Sequence, residues 1–327
     1  MLPKWLALGA AFSCAVIFCA CGGSALTSAP TAPSSVATAT VPTPEPTPVA
    51  DPTPPSPAVI APSAVLVGAG DITQCGLEGS MLTGKLMERL LAETRGTGFT
   101  LGDNSNDSGK RGEYDCFNAT WGPIKGSLMP SPGNHDYETN PPYYYEYFGA
   151  AAGPGGLGYY SYDRGAWHIL SLNSELPESM RPAQLEWMQR DLQQHPTQCS
   201  LAYFHRPLFS SGMYAAQRMQ KLWDVLYRNG VDLIVNGHEH FYAAFPPMTP
   251  TGTPDPKYGI REVIAGTGGA RLFDRPSPQY GETVIAGTWG VLVLTLGSDD
   301  YTWRFVATDG ADRDFGSGTC HAAPPTR

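Results

Sequence analysis

Residues 65–71 read Val-Leu-Val-Gly-Ala-Gly-Asp, and residues 233–240 read Leu-Ile-Val-Asn-Gly-His-Glu-His. Each is a short apolar run that ends in glycine and then in side chains able to hold a proton or a metal. An apolar run without polar alternation is the pattern of a strand buried on both faces. The pattern recurs three more times. Phe99-Thr-Leu-Gly102 leads into Asp103 and Asn104, Leu128-Met-Pro-Ser-Pro-Gly133 into Asn134, His135 and Asp136, and Leu201-Ala-Tyr-Phe204 into His205. Helical periodicity fills the gaps: residues 78–95 place Leu82, Leu86, Leu90 and Leu91 on one face, 182–194 carry Leu185, Met188 and Leu192, and 214–228 carry Met219, Leu222, Trp223 and Leu226. Further strands are expected at 159–163, 166–173, 260–265, 290–296 and 301–306. Alternating strands and helices argue for α/β layers. The clustering of strands in the last seventy or so residues argues for mixed sheets, two of them packed together.

In open α/β sheets ligands bind beyond the carboxyl ends of the strands. The chain is therefore expected to deliver Asp71, Asp103, Asn134, His135, His205, His238 and His240 to one rim. Taken singly, each has a plainer reading. Asp71 and Asp103 suit caps after a strand, Asn134 a turn, and His205 a core or surface imidazole. His238 and His240 are harder to explain away, because residues i and i+2 of an extended segment share a face. Carboxylate, amide oxygen and imidazole together favour Zn, Mn, Fe, Ni or Co over Ca.

These residues resemble the calcineurin-like metallophosphoesterases, and within them the purple acid phosphatase branch. The motifs that carry the resemblance are Gly70-Asp71, Gly102-Asp103-Asn104, Gly133-Asn134-His135-Asp136, His205 and Gly237-His238-Glu239-His240, in the family's order over residues 65–245. Tyr159-Tyr160-Ser161-Tyr162-Asp163 and the ending Ser317-Gly-Thr-Cys-His321 resemble bacterial members. The resemblance implies a four-layer α/β/β/α sandwich of two packed mixed sheets. It also implies hydrolysis of phosphate esters by hydroxide held on two divalent metal ions, with a monoester favoured and a diester as the alternative. Asp71 and His240 would bind the first metal, Asp103 would bridge, and Asn134, His205 and His238 would bind the second. His135 would assist the leaving group, oriented by Asp136. Arg206, beside His205, suits either a clamp on phosphate oxygens or a surface salt bridge.

Three positions depart from the family. Thr73 stands where many members have a ligating histidine, Asn106 where purple acid phosphatases have the tyrosine that colours their iron, and Tyr214 where a histidine usually contacts the substrate. The expectation is a weaker first site, unselective for ferric iron and without purple colour, unless the Asn106 amide reaches it. The same departures motivate the rival reading of a catalytically silent surface-binding protein. Gly266-Thr-Gly-Gly269 lacks a following Lys-Ser/Thr and reads as a tight turn near the rim. His168 and His195 read as structural, and Tyr143-Tyr144-Tyr145, Tyr147 and Phe148 as loop packing or a cleft wall.

Residues 1–20, with Lys4 and then an apolar stretch, have the layout of a signal peptide. Ala20-Cys21-Gly-Gly-Ser24 resembles a bacterial lipoprotein cleavage box, which would place an acylated Cys21 at a membrane, with secretion as the alternative. Residues 21–63 hold eleven of the 31 prolines and no aromatic residue, and read as an extended stalk. The domain is expected over 64–321, with a tail at 322–327. Across all 327 residues, 42% hydrophobic content supports a sizeable core. The net charge of −9 argues against a nucleic-acid partner. A small phosphate ester is the expected partner; the sequence does not address oligomeric state. Cys75, Cys116, Cys199 and Cys320 allow three connectivities, between which the sequence does not choose; the expected pairs are Cys75–Cys116 and Cys199–Cys320.

Overall fold

The computed structural model describes residues 63–140, 142–274 and 276–325. The expected signal peptide, Cys21 and stalk lie outside the described residues.

The first half of the domain runs β1 (Ala64–Ala69), α1 (Gly79–Thr94), β2 (Thr97–Thr100), α2 (Arg111–Thr120), β3 (Leu128–Met129) and α3 (Tyr143–Phe148). A second group follows: β4 (Tyr160–Arg164), β5 (Trp167–Ser171), α4 (Arg181–Gln194), β6 (Cys199–Phe204), α5 (Gln220–Arg228) and β7 (Leu233–Asn236). The chain then continues in strands alone: β8 (Tyr242–Ala244), β9 (Arg261–Ala265), β10 (Thr283–Ile285), β11 (Gly290–Leu296), β12 (Asp300–Ala307) and β13 (Asp312–Thr319).

Two mixed sheets result, ordered β13-β12-β11-β1-β2-β3 and β10-β8-β9-β7-β6-β5-β4. Parallel pairing joins β1, β2 and β3 in the first, and β5, β6, β7 and β9 in the second. Antiparallel pairing adds β11, β12 and β13 to one side of the first sheet, and β4 on one edge and β8 and β10 on the other of the second.

Alternation along each strand explains the layers. Leu66, Ile169, Leu201, Leu233, Val263 and Leu292 enter one core shared by the two sheets. Their neighbours Leu170, Ala202, Ile234 and Ile264 face α4 and α5, alongside Met188, Leu222 and Trp223. On the opposite outer face, Val67, Val291 and Val293 meet Leu86, Met87 and Leu90 of α1, Phe117 of α2 and Trp121 just after it. The architecture is thus α/β/β/α, and the parallel strands read as unbroken apolar runs because helix covers one face and sheet the other. Leu201 is buried between the sheets; truncation there to alanine costs about 2–5 kcal/mol.

Two disulfides form as expected. Cys75–Cys116 ties the loop after β1 to α2, and Cys199–Cys320 ties the start of β6 to the segment after β13, one sheet to the other. They close loops of 41 and 121 residues, each worth roughly 3–5 kcal/mol in chain entropy.

Some elements differ from the sequence reading. The helix expected from Tyr214 begins with a 3-10 turn at Gln217–Met219 and becomes α-helical only at Gln220. Ala216 is extended (φ −108°, ψ 90°), with its N–H donating to Pro207 O at 2.8 Å, so the helix begins only after it. Helices α2 and α3 and strands β8, β10 and β13 have no counterpart among the elements expected from the sequence. Residues Tyr143–Phe148 form α3 and pack on Tyr114 and Phe117 instead of walling a cleft.

Candidate metal centre

Five loops leave the carboxyl ends of parallel strands and meet. Asp71 follows β1, Asp103 follows β2, Asn134 and His135 follow β3, His205 follows β6, and His238 and His240 follow β7. The loops after β1 and β2 stay paired beyond the sheet: Asp71 N–H donates to Gly102 O (3.0 Å), Ile72 N–H to Asp103 O (2.9 Å) and Asn106 N–H to Thr73 O (2.7 Å).

Backbone conformation singles out the same residues. Among the described residues, four non-glycine residues have positive φ: Asp71 (56°), Arg95 (54°), Asp103 (47°) and His238 (71°). Three of the four are expected ligands. Such strain persists where surrounding structure over-determines it, commonly at functional sites. Two glycines are required by close approach. A Cβ on Gly133 would lie 2.2 Å from the Asp103 backbone N and Oδ1, and one on Gly237 would lie 2.6 Å from Leu101 O and 2.8 Å from Asp71 Oδ2.

His205 is at the centre of one group. Its Nδ1 sits 2.8 Å from the Leu101 carbonyl, so that nitrogen carries the proton and donates. Its Nε2 is then 3.0 Å from His238 Nδ1, 3.1 Å from Asn134 Oδ1 and 3.2 Å from Asp103 Oδ2. His135 N–H donates to the other Asp103 oxygen at 2.9 Å. In a second group His240 Nδ1 donates to Arg271 O (2.6 Å), leaving Nε2 3.1 Å from Asp71 Oδ1. Asp71 Oδ2 accepts from His238 N–H at 2.7 Å. In both histidines a backbone carbonyl selects the tautomer and points the free nitrogen at a buried carboxylate.

The field at His205 and His240 is negative on balance. Burial opposes charge on His205, but Asp103, Asp71 and Glu175 outweigh it and raise its pKa to about 9. Burial likewise opposes His240, and Asp71 reverses the effect. Burial also works against Asp71, yet His240, His205 and His238 hold it down to about 2. His238 stays neutral, pushed down to about 2 by burial, His205 and Arg206. The potential that protonates His205 and His240 favours any cation placed among the same side chains.

Thr73 Oγ1 and Asn106 Oδ1, buried on the paired loops after β1 and β2, have no hydrogen-bond partner, and Asp71 Oδ1 has only His240 Nε2 beside it, at 3.1 Å. Orphaned buried oxygens on loops that are themselves paired, with imidazole nitrogens and a second carboxylate beside them, make a donor set that fits divalent cations. Asp103, His205 and His238 bring one ligand atom each within 4.8 Å of one another.

A stretch within this frame, residues 60–242, matches the sequence model of the calcineurin-like phosphoesterases. The chain belongs to the calcineurin-like phosphoesterase family. Within this phosphoesterase family it is similar to purple acid phosphatase 18 of Arabidopsis thaliana, 28% identical over 134 residues, which is 37% of this chain and 30% of that protein. Purple acid phosphatase 21 of the same plant is 31% identical over 120 residues, covering 35% and 27%. The match thus spans less than a third of either plant protein. The fold is also that of purple acid phosphatase PPD1 from yellow lupin (Lupinus luteus), with a TM-score of 0.68 and 19% identity over 82% of this chain and 57% of that one. GAP50, the anchor in the inner membrane complex of Plasmodium, superposes with a TM-score of 0.64 and 14% identity over 79% and 89%.

One expected role is corrected. Asp136 does not touch the His135 ring. Its carboxylate is buried and accepts from Gly133 N (2.8 Å), Asn104 N and Nδ2 (3.2 and 3.0 Å), Ser105 N (3.2 Å) and Tyr114 OH (2.6 Å). It therefore clamps the loops that present Asp103 and Asn134, and burial with the nearby Asp103 raises its pKa to about 6. The carboxylate beside the His135 ring is Glu138, 2.6 Å from Nδ1, while Nε2 lies 3.9 Å from Asp103 Oδ2.

Arg206 forms the salt bridge weighed for it, but with a buried carboxylate and not at the surface. Its Nε binds the buried Glu175 at 2.9 and 3.0 Å, and its NH1 reaches His238 Nε2 at 2.7 Å. Arg218 braces Glu175 from the other side at 2.9 Å. Glu175 was missed from sequence, although Leu170-Ser-Leu-Asn-Ser-Glu175 is a sixth apolar run ending in polar residues. Phe273, stacked on His240 at 4.3 Å, carries no sequence signal. The Gly266–Gly269 turn does lie against the Asp71 loop, with Gly268 N–H donating to Gly70 O at 2.8 Å. His168 and His195 belong to a separate ion network with Asp163 and Asp191.

Proposed function

We propose that this chain hydrolyses phosphate esters, monoesters in preference to diesters, with two divalent cations and outside the cytoplasm. The observation that carries this reading is the His205 Nε2 environment: three further ligand-type atoms within 3.2 Å, in a buried setting of negative potential. In this reading Asp71 and His240 hold the first cation, Asp103 bridges, and Asn134, His205 and His238 hold the second. The neutral oxygens of Thr73 and Asn106 are the available supplements to the first. Bound cations in such a site supply Lewis-acid charge to the phosphoryl group and acidify water.

The protein's own groups do the rest. Leu101 O and Arg271 O lock His205 and His240 in the tautomer that leaves Nε2 free. The His135 ring, partly exposed at the edge of the cluster, donates a proton to the leaving oxygen. Glu175 holds the Arg206 guanidinium beside His238, where its charge offsets that on phosphate oxygens.

Export is supported by two disulfides, which persist in oxidising compartments, and by the reading of residues 1–20; attachment through an acylated Cys21 belongs to the same proposal. The departures at Thr73, Asn106 and Tyr214 favour one rival, a silent binding protein on the same fold, and the likeness to GAP50 is compatible with it. Reconstitution with Mn, Zn, Fe, Co and Ni in turn, with ion counting and assay on aryl monoesters and diesters, decides the matter. Two ions per chain with turnover supports the hydrolase. One ion or none, without turnover under any metal or pH, supports the rival.

A further inference from the structure

Tyr214 is the third departure from the family pattern, and its surroundings are unlike those of a packing residue. Its ring lies 5.3 Å from that of His238 and 5.7 Å from that of Phe273. Phe273 in turn stacks on His240 at 4.3 Å, nearly parallel at 8°. The four rings form a row, His238–Tyr214–Phe273–His240, with two imidazoles of the candidate centre at its ends. Beside it stands Met213, 85% exposed, next to Tyr214 at 43%. Among the described residues only Met81, Met180 and Phe315 are further large hydrophobics exposed to water, and none adjoins another in sequence.

This apolar tip is held firmly. Glu239, between the two histidines, accepts from Ser210 Oγ (2.5 Å) and Tyr214 N–H (2.7 Å) through one buried oxygen. Ser211 Oγ donates to Glu282, and Ser277 N–H donates to Ser211 O at 2.6 Å. A Cβ on Gly212 would lie 2.2 Å from Glu239 Oε2, so any side chain there would displace the carboxylate that holds the turn. Phe273 N–H is fixed on His240 O at 2.9 Å. Two buried carboxylates thus anchor a loop whose outermost side chains are apolar and in water. Such a pinned, exposed apolar edge marks a binding surface.

We propose that Met213, Tyr214 and Phe273 form a platform for the leaving group and select phosphate esters whose leaving group is a flat aromatic ring. This rests on the phosphoester reading of the centre: Tyr214 lies 5.3 Å from the His238 ring, so an aromatic leaving group on a phosphoryl group held beside His238 would be within reach of it. Small aliphatic esters have no ring to stack there.

The test uses metal-loaded holoprotein and two analogues with unbreakable P–C bonds, phenylphosphonate and methylphosphonate, with binding followed by calorimetry. Phenylphosphonate is expected to bind about three- to tenfold more tightly, the range of one aromatic pair. The ratio should fall to near one in Tyr214→Ala and Phe273→Ala, persist in Tyr214→Phe, and persist in Phe315→Ala, far along the chain on β13. Melting temperatures of the variants check that they fold; Met213→Ala, at the most exposed position, should lower the ratio without touching the fold. Equal binding of the two phosphonates by the native protein, or an undiminished ratio in both alanine variants, overturns the platform alone. Binding of neither phosphonate overturns the platform and the phosphoester reading together.

Discussion

His205 Nε2 lies 3.2 Å from Asp103 Oδ2, and Asp103 is the carboxylate that also receives the His135 backbone N–H. One residue is therefore held between the loops after β2, β3 and β6, which suits a bridging ligand. Asp103→Asn keeps the shape and removes the charge. Ion content should drop below two per chain, and hydrolysis should fall at least about 100-fold. Native ion content and near-native turnover in that variant would remove Asp103 from the centre.

The two cation sites should differ in strength. Two side chains besides Asp103, those of Asn134 and His238, surround His205 Nε2, whereas Asp71 is paired with His240, and the unsatisfied Thr73 Oγ1 and Asn106 Oδ1 on the loops after β1 and β2 are neutral oxygens. Graded chelation, followed by ion counting, should remove one ion before the other. Iron-loaded protein should show no tyrosinate–iron band in the visible, and Asn106→Ala should hasten loss of the weaker ion while leaving the other bound.

His135 and Asp136 should separate cleanly. His135→Ala removes a proton donor at the exposed edge, and turnover should slow about 100-fold with both ions retained. Asp136→Asn instead places an amide N–H₂ against backbone donors from Gly133, Asn104 and Ser105. It should destabilise the fold by about 1–3 kcal/mol in denaturant titration. A slow but fully stable Asp136→Asn protein would restore a direct catalytic role.

Away from the centre, His168 links β5 to β4 and α4. Its Nδ1 is 2.7 Å from Asp163 and its Nε2 2.8 Å from Asp191, with the His195 ring stacked at 4.7 Å. Burial opposes its charge, but the two carboxylates prevail and raise its pKa above 6.5. Asp191, despite burial, is lowered below 3.8 by His168 and Ser161. A raised histidine contributes stability that is full below the unfolded value and lost as pH rises through the folded one. A lowered carboxylate contributes stability present above its unfolded value and lost as pH falls. The pair therefore stabilises most between pH 3.8 and 6.5. The melting temperature of the native protein minus that of His168→Gln should be largest in that window and shrink toward pH 8. A difference that is flat with pH would show that His168 is not charged in the folded state.

Much of the candidate centre was legible because its candidate ligands sit where a strand ends. Asp71, Asp103, Asn134, His205, His238 and His240 each follow an apolar run, and parallel strands buried on both faces are the easiest elements to read. Strand β13, Asp-Arg-Asp-Phe-Gly-Ser-Gly-Thr, was invisible because it borrows its hydrogen bonds from β12 and contributes little apolar surface. The orientation assigned to Asp136 failed for a related reason. Adjacency to His135 in the chain says nothing about which loop a buried carboxylate will clamp.

The amino-acid sequence by itself determined the strand and helix alternation, the order of ligand-type residues at strand ends, and the positions where the family pattern is broken. Those follow from local periodicity and residue chemistry. Only the tertiary structure decided which nitrogen of His205 and His240 is free, that Glu175 anchors Arg206, and that Tyr214 joins Phe273 in a row of rings. These are contacts between segments 30 or more residues apart, and their distances are set by the packing of two sheets, which no local pattern encodes.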